Sequence, residues 1–209
     1  MVMCERVFWC LYLFSMFRHM KNNHMVFGIA GEPGAGKDTV KEYLVRTYGS
    51  ESLGFSLILK DILLRLSMEL CRENYARLAE ALRASFGEHI LAKVLTGDIA
   101  RLSNPLVVID GIRKFGELEE LRKLPNFHFI FMETDLRVRY ERIKNRGIKA
   151  DDSSKTFEEF VRDHEHAADR DVRNLKEYAD IIIENNGTRE DLFAQVDARL
   201  LSLGVDRKS

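Results

Sequence analysis

The chain has 209 residues, 45% of them hydrophobic and 31% charged, with 13 Gly and 3 Pro. That profile fits one ordinary globular domain and excludes a disordered, collagenous or disulfide-built chain. Lys and Arg total 32 against 33 Asp and Glu, so no net positive field favours general binding to a nucleic acid polymer.

Residues 1–24 are unlike the rest, with 15 apolar and 5 aromatic residues, the only Trp (Trp9), Cys4 and Cys10. Their apolar run, 7–17, spans 11 residues, whereas a bilayer-crossing helix needs about 20. Glu5 stands where a signal peptide is positive, and no small-x-small cleavage pattern follows. The segment reads as a non-functional leader or an over-long start, with translation from Met25; the alternatives are a membrane-touching or partner-binding tail and, last, export. From Met25 onward Cys71 is the only cysteine, which leaves no internal disulfide and points to the reducing cytoplasm. No membrane partner is expected unless residues 1–24 are real.

Hydrophobic periodicity after Met25 alternates strands with helices. A short apolar strand covers 25–30, a Gly-rich turn follows, and a helix runs over 37–48. A second strand is expected at 53–56, two or three helices over 57–95, and a wholly apolar strand at 106–109, the pattern of burial on both faces. Then come a helix at 115–124, a strand at 127–132, a basic helix at 136–146, a polar stretch at 147–154, a long charged helix, a strand at 180–184 and a closing helix at 188–203. Such alternation implies right-handed crossovers and a doubly wound, five-stranded parallel α/β sheet, with its ligand beyond the carboxyl ends of the strands.

The strongest motif is Gly31-Glu32-Pro33-Gly34-Ala35-Gly36-Lys37-Asp38-Thr39, which leaves the first strand and opens the first helix. Glycines let consecutive backbone N–H groups wrap a phosphate, the helix N-terminus adds its positive end, and Lys37 supplies a charge for the β- and γ-phosphates. Asp38 stands where a Ser or Thr hydroxyl usually reaches the metal, and Thr39 comes one residue late. A carboxylate beside a triphosphate needs a cation between them, so Asp38 argues for magnesium, which it can hold directly or through water, or cede to Thr39.

The buried strand at 106–109 ends in Asp110-Gly111-Ile112-Arg113. An Asp at that strand end, next to a phosphate loop, suits a second metal carboxylate, and the planar fork of Arg113 suits a second phosphate. The basic helix carries Arg137, Arg139, Arg142 and Arg146, with Arg142 and Arg146 four apart on one face, and leads into a polar flap. Arginines delivered by a closing flap stabilise the charge spread over a moving phosphoryl group.

The loop, the Asp110 to Arg113 turn and the Arg142/Arg146 pair together resemble the nucleotide and small-molecule kinases of the P-loop superfamily, over about 25–203. The Gly36-Lys37-Asp38-Thr39 ending and the Phe55-to-Asp61 segment resemble deoxynucleoside monophosphate and phosphomevalonate kinases, and the later stretches resemble a branch close to dephospho-CoA kinase. Arg113 stands near the place of the arginine in a similar Asp-Gly-x-Pro-Arg turn, without the Pro; no His-Pro element and no Asp-x-Asp of dephospho-CoA kinase proper is present. The resemblance implies ATP and Mg2+ as cofactors and a nucleoside monophosphate kinase-like P-loop NTPase fold over 25–205, with acceptor-binding helices at 57–104 and a lid at 147–157. It also implies Arg113 on the acceptor phosphate, Arg142 against the donor, Arg146 on the transferring phosphate, and a loop containing Asn186 and Gly187 over the adenine. Lys60, Asp61, Arg65 and Arg83 are the candidates for contacting the acceptor or activating its oxygen.

The expected function is phosphoryl transfer from ATP to a small phosphorylated acceptor, a nucleoside or deoxynucleoside monophosphate, by a monomer or homodimer. Dephospho-CoA kinase is the alternative within that class, and a nucleotide switch acting on a protein partner is the alternative outside it. His164 and His166 are two apart and so point to different helix faces, which argues against a metal pair. Cys71 lacks a His/Asp partner pattern and is not read as a nucleophile.

Overall fold

The computed structural model describes residues 24–146, 156–164 and 167–208. Five strands, β1 (Met25–Gly31), β2 (Glu51–Gly54), β3 (Leu106–Asp110), β4 (Phe127–Glu133) and β5 (Ile181–Glu184), pair in parallel in the order β2-β3-β1-β4-β5. This is the doubly wound α/β sheet of P-loop NTPases.

Because side chains alternate along a strand, the sheet splits its apolar residues between two cores. Val26, Ala30, Val107, Ile109, Phe129 and Phe131 face one side. They are covered by α2 (Phe55–Arg65), α3 (Arg72–Phe86), α4 (Ile90–Ile99), α5 (Phe115–Leu121), α8 (Ala167–Asn174) and a 3-10 turn (Leu175–Tyr178). Phe27, Ile29, Val108, Ile130 and Met132 face the other, under α1 (Lys37–Tyr48) and α9 (Arg189–Ser202). A small third cluster joins Tyr140 and Ile143 of α6 (Leu136–Arg146) to Phe160 of α7 (Phe157–His164). The chain leaves β1 through α1 on one face and β3 through α5 on the other, so the crevice beyond these neighbouring strands is the switch point where α/β sheets bind ligands.

Several element boundaries differ from the sequence expectation. The second strand lies at Glu51–Gly54 instead of 53–56. Phe55 is buried as the first residue of α2, and its burial resembles that of a strand residue in sequence. The region between β2 and β3 forms three helices, and α5 stops at Leu121. The expected long charged helix is helical over Phe157–His164 (α7) and Ala167–Asn174 (α8) and gives way to the 3-10 turn at Leu175; Phe160, Val172 and Leu175 are buried. Of residues 1–24 only His24 is described, and the expected lid at 147–157 is described only from Thr156 onward.

Thr188 caps α9 with a reciprocal pair, accepting from the Asp191 N–H at 3.1 Å while its own N–H donates to Asp191. The far ends of α1 and α9 are joined where Asp197 accepts the hydroxyls of Tyr43 at 2.8 Å and Tyr48 at 2.6 Å. Burial pushes the Tyr48 phenol up, the bond to Asp197 pushes the same way, and together they raise it to about 12.

Candidate functional site

The phosphate loop is shaped by glycines in backbone conformations that side chains rarely adopt. Gly36 caps α1 at φ +95°, and a Cβ there would lie 2.2 Å from Asn185 Nδ2. Gly34, at φ +81°, is packed so closely on α6 that a Cβ would stand 2.9 Å from the Arg139 carbonyl oxygen. Both positions therefore require glycine.

The loop is held from outside by three side chains. Asn185 is buried just past β5 and donates from Nδ2 to the Ala35 carbonyl at 2.9 Å; Thr134, buried past β4, donates to the same oxygen at 3.2 Å. Arg139 is buried and spans Glu32 at 3.2 Å, the Thr134 carbonyl at 3.2 Å and the Pro33 carbonyl at 3.5 Å. Glu32 also takes Arg173 of α8 at 3.3 Å. Grouped in sequence with the arginines of a mobile flap, Arg139 is instead a buried support of the loop, because Glu32 gives its charge a partner.

Lys37 donates its ammonium back to the Gly31 carbonyl at 2.8 Å and the Glu32 carbonyl at 3.1 Å. Burial lowers its pKa, nearby Asp110 opposes that, and Arg113 adds to it. Asp38, Asp110 and Arg113 are thus all within electrostatic reach of Lys37. Arg113 is exposed and, among the described residues, its guanidinium makes no hydrogen bond or ion pair. Asp110 and Asp38 are bridged by Lys41, whose Nζ lies 3.0 Å from Asp110 Oδ2 and 2.9 Å from Asp38 Oδ1. Burial lowers the Lys41 pKa, but the hydrogen bonds to both carboxylates outweigh it and hold the ammonium above its usual value.

Two buried polar atoms of this region, Asp110 Oδ1 and Arg142 Nη1, have no hydrogen-bond partner among the described residues. An unused carboxylate oxygen is a hard donor that suits a magnesium ion or a water on it. Beside it stand the Asp38 carboxylate and, next in sequence, the half-buried Thr39. Among the described residues no group of three or more His, Cys, Asp and Glu is placed to hold a metal ion. Arg142 donates from Nη2 to Asn185 Oδ1 at 3.3 Å, and burial lowers its pKa.

The other expected residues fall around this centre or away from it. Asn186 accepts the Asp135 N–H at 2.8 Å, and a Cβ on Gly187 would stand 2.8 Å from Asp191 Oδ2, so Asn185, one residue earlier, is the one that touches the loop. Lys60, Asp61 and Arg65 are exposed on α2, and Asp61 makes no hydrogen bond or ion pair among the described residues. The Arg146 side chain, residues 147–155 and the His164/His166 pair lie outside the described side chains.

Arg83 leads to Glu117, a site residue that sequence reasoning missed. Glu117 is buried, with one oxygen accepting the N–H groups of Arg113 at 3.0 Å and Lys114 at 3.2 Å, while the other accepts Arg83 Nη2 at 2.6 Å. The visible signal was its place four residues after Arg113, where a helix N-terminus takes a reciprocal carboxylate cap. Lys41, one turn past Asp38, carried a similar signal.

The AAA domain family matches residues 28–166. The UPF0200 protein of Thermococcus kodakarensis is 32% identical over 185 residues, covering 82% of this chain and 94% of that protein. Among solved structures, TT1252 from Thermus thermophilus aligns with a TM-score of 0.58 at 22% identity over 86% of this chain and 98% of its own. Shikimate kinase from Acinetobacter baumannii in complex with shikimate aligns at 0.51 and 18%, over 87% and 94%. At these identities the structural likeness is one of fold, the P-loop fold that kinases use. Among the described residues no helix is long and apolar enough to cross a membrane. The chain belongs to the UPF0200 family and carries an AAA domain with a P-loop kinase-like α/β fold.

Proposed function

We propose that the protein is an ATP- and magnesium-dependent kinase that moves the γ-phosphoryl group of ATP to a small phosphorylated acceptor, a nucleoside or deoxynucleoside monophosphate, in the cytoplasm. The observation that carries this reading is the meeting of Lys37, Asp110 and Arg113 beyond the carboxyl ends of β1 and β3, with both Asp110 and Arg113 close enough to shift Lys37. Lys37 then serves the donor, and Arg113, whose guanidinium makes no hydrogen bond or ion pair among the described residues, serves the acceptor.

The loop amides from Gly31 to Thr39 hold the donor phosphates, and Lys37 turns from its two carbonyls onto them. Asp110, with Asp38 or Thr39, would hold magnesium, which when bound would neutralise the negative charge of the phosphates. Arg113 fixes the acceptor phosphate bidentately, and the helices over 57–104, with Lys60, Asp61, Arg65 and Arg83 among their charged residues, shape its pocket. An acceptor oxygen bonds to the γ-phosphorus as the bridge to the β-phosphate breaks. The acceptor is already ionised, so no base is required, and Asp61 has such a role only for a hydroxyl acceptor. Arg142 and Arg146 take up the charge of the transferred group, and Asn186 with Gly187 borders the adenine.

The test is to incubate the full chain with ATP and magnesium against nucleoside and deoxynucleoside monophosphates, dephospho-CoA, phosphomevalonate and shikimate. A diphosphate product from a nucleotide acceptor is expected. Transfer to dephospho-CoA or shikimate instead reassigns the acceptor, and hydrolysis that no acceptor stimulates favours a nucleotide switch.

A further inference from the structure

Lys41 is not part of the phosphate loop, yet it contacts both carboxylates read as metal-binding. Its Nζ donates to Asp38 Oδ1 at 2.9 Å and to Asp110 Oδ2 at 3.0 Å. Those distances hold the two oxygens within about 6 Å of each other, a separation at which two carboxylates repel unless a cation stands between them. An ammonium has three donors, and two are used here. Asp110 Oδ1 is buried without a partner among the described residues, so one lone-pair direction of the site is left unanswered by the lysine. The Lys41 side chain is 26% exposed and rises from the second turn of α1 on a flexible stem, so the ammonium can leave without any backbone movement.

We infer that Lys41 is a tethered counter-cation that holds Asp38 and Asp110 together in the metal-free site and yields to the divalent ion when it arrives with nucleotide. This rests on reading Asp110 as the metal carboxylate. Without nucleotide, a divalent ion must displace the ammonium from both carboxylates. With a triphosphate present, the ion brings phosphate oxygens as ligands, and the released ammonium finds a phosphate. Lys41 thereby makes metal loading depend on nucleotide, as a positioning residue and not a ligand.

The probe is Mn2+ titrated into the nucleotide-free full chain, with the free ion followed by electron paramagnetic resonance. Lys41→Met and Lys41→Gln are expected to bind Mn2+ about tenfold more tightly than the unaltered protein. Lys41→Arg, which keeps a cation, stays near the unaltered value, and adding Asp110→Asn to Lys41→Met removes the gain. Unchanged or weaker Mn2+ binding in both neutral variants, or a gain that survives Asp110→Asn, overturns the inference. Repeating the titration with ATP separates the two claims. If Asp110→Asn leaves Mn2+-ATP binding intact, the metal reading itself fails; if it abolishes that binding while Lys41→Met does nothing without nucleotide, only the role of Lys41 fails.

Discussion

Glu117 and Arg83 form an ion pair at 2.6 Å that joins the helical insert to the turn carrying Arg113. The Glu117 side chain is 1% exposed and also caps that turn through the N–H groups of Arg113 and Lys114. Removing it leaves Arg83 and two amide donors without their acceptor. Glu117→Ala is expected to lower stability by about 3 kcal/mol, and Glu117→Gln by about 1.5 kcal/mol, in urea denaturation. In the kinase assay Glu117→Gln raises the acceptor KM more than the ATP KM, because the backbone of Arg113 loses its fixed position. Equal changes in both constants would assign Glu117 a purely structural role.

Two arginines on α6 differ sharply in what they hold. Arg139 is buried against Glu32 and two loop carbonyls, so Arg139→Leu is expected to cost about 3 kcal/mol and to weaken ATP binding. Arg137 has a side chain 66% exposed, reaches Glu141 at 3.8 Å and lies over the Phe157 ring at 4.6 Å, so Arg137→Ala should cost about 1 kcal/mol or less. Thermal melts with and without ATP compare them.

Much of the fold was legible because its signals are local. The wholly apolar 106–109 run, the glycines before Lys37 and the strand-to-helix order each declare themselves within a few residues. β2 was displaced because its short edge strand begins with Glu51 and Ser52, while Phe55, which resembles a strand residue, is buried by the insert. The local contacts of Glu117 and Lys41 left a signal, but their long-range partners were not legible, 34 residues away for Arg83 and Glu117 and 69 for Lys41 and Asp110, nor was the pairing of Arg139 with Glu32. A charged residue on a helix looks the same in sequence whether it meets water or a buried opposite charge.

Lys37 gives a pH-dependent trade between binding and stability. Its folded pKa lies below the ordinary 10.5, chiefly through burial, so between the two values the unfolded chain binds more protons and stability rises with pH. Lys37→Met is expected to stabilise the nucleotide-free protein at neutral pH, with the advantage shrinking as pH approaches 10.5. The same variant loses ATP binding. Urea denaturation at pH 7 and pH 10, with ATP titrations at pH 7, reads both effects.

Tyr48 sets the alkaline limit of the α1 and α9 junction. Its phenol is raised to about 12 from 10.0, so between those values the folded state keeps a proton that the unfolded state loses, and stability falls as pH rises. Tyr48→Phe removes the hydroxyl bonded to Asp197 and is expected to lower stability by about 1 kcal/mol below pH 10. It should also flatten the decline between pH 10 and 12, as seen in melting temperature against pH.

In the proposed kinase, Arg113 holds a phosphorylated acceptor across from ATP on the Lys37 loop. Phosphorus NMR of the full chain with ATP, magnesium and a nucleoside monophosphate, compared between the unaltered protein and Arg113→Met, tests it most directly. Diphosphate signals from the acceptor are expected to grow, with the acceptor KM raised about a hundredfold in the variant and the ATP KM little changed. Inorganic phosphate released at one rate with or without acceptor, or a variant with an unaltered acceptor KM, would contradict it.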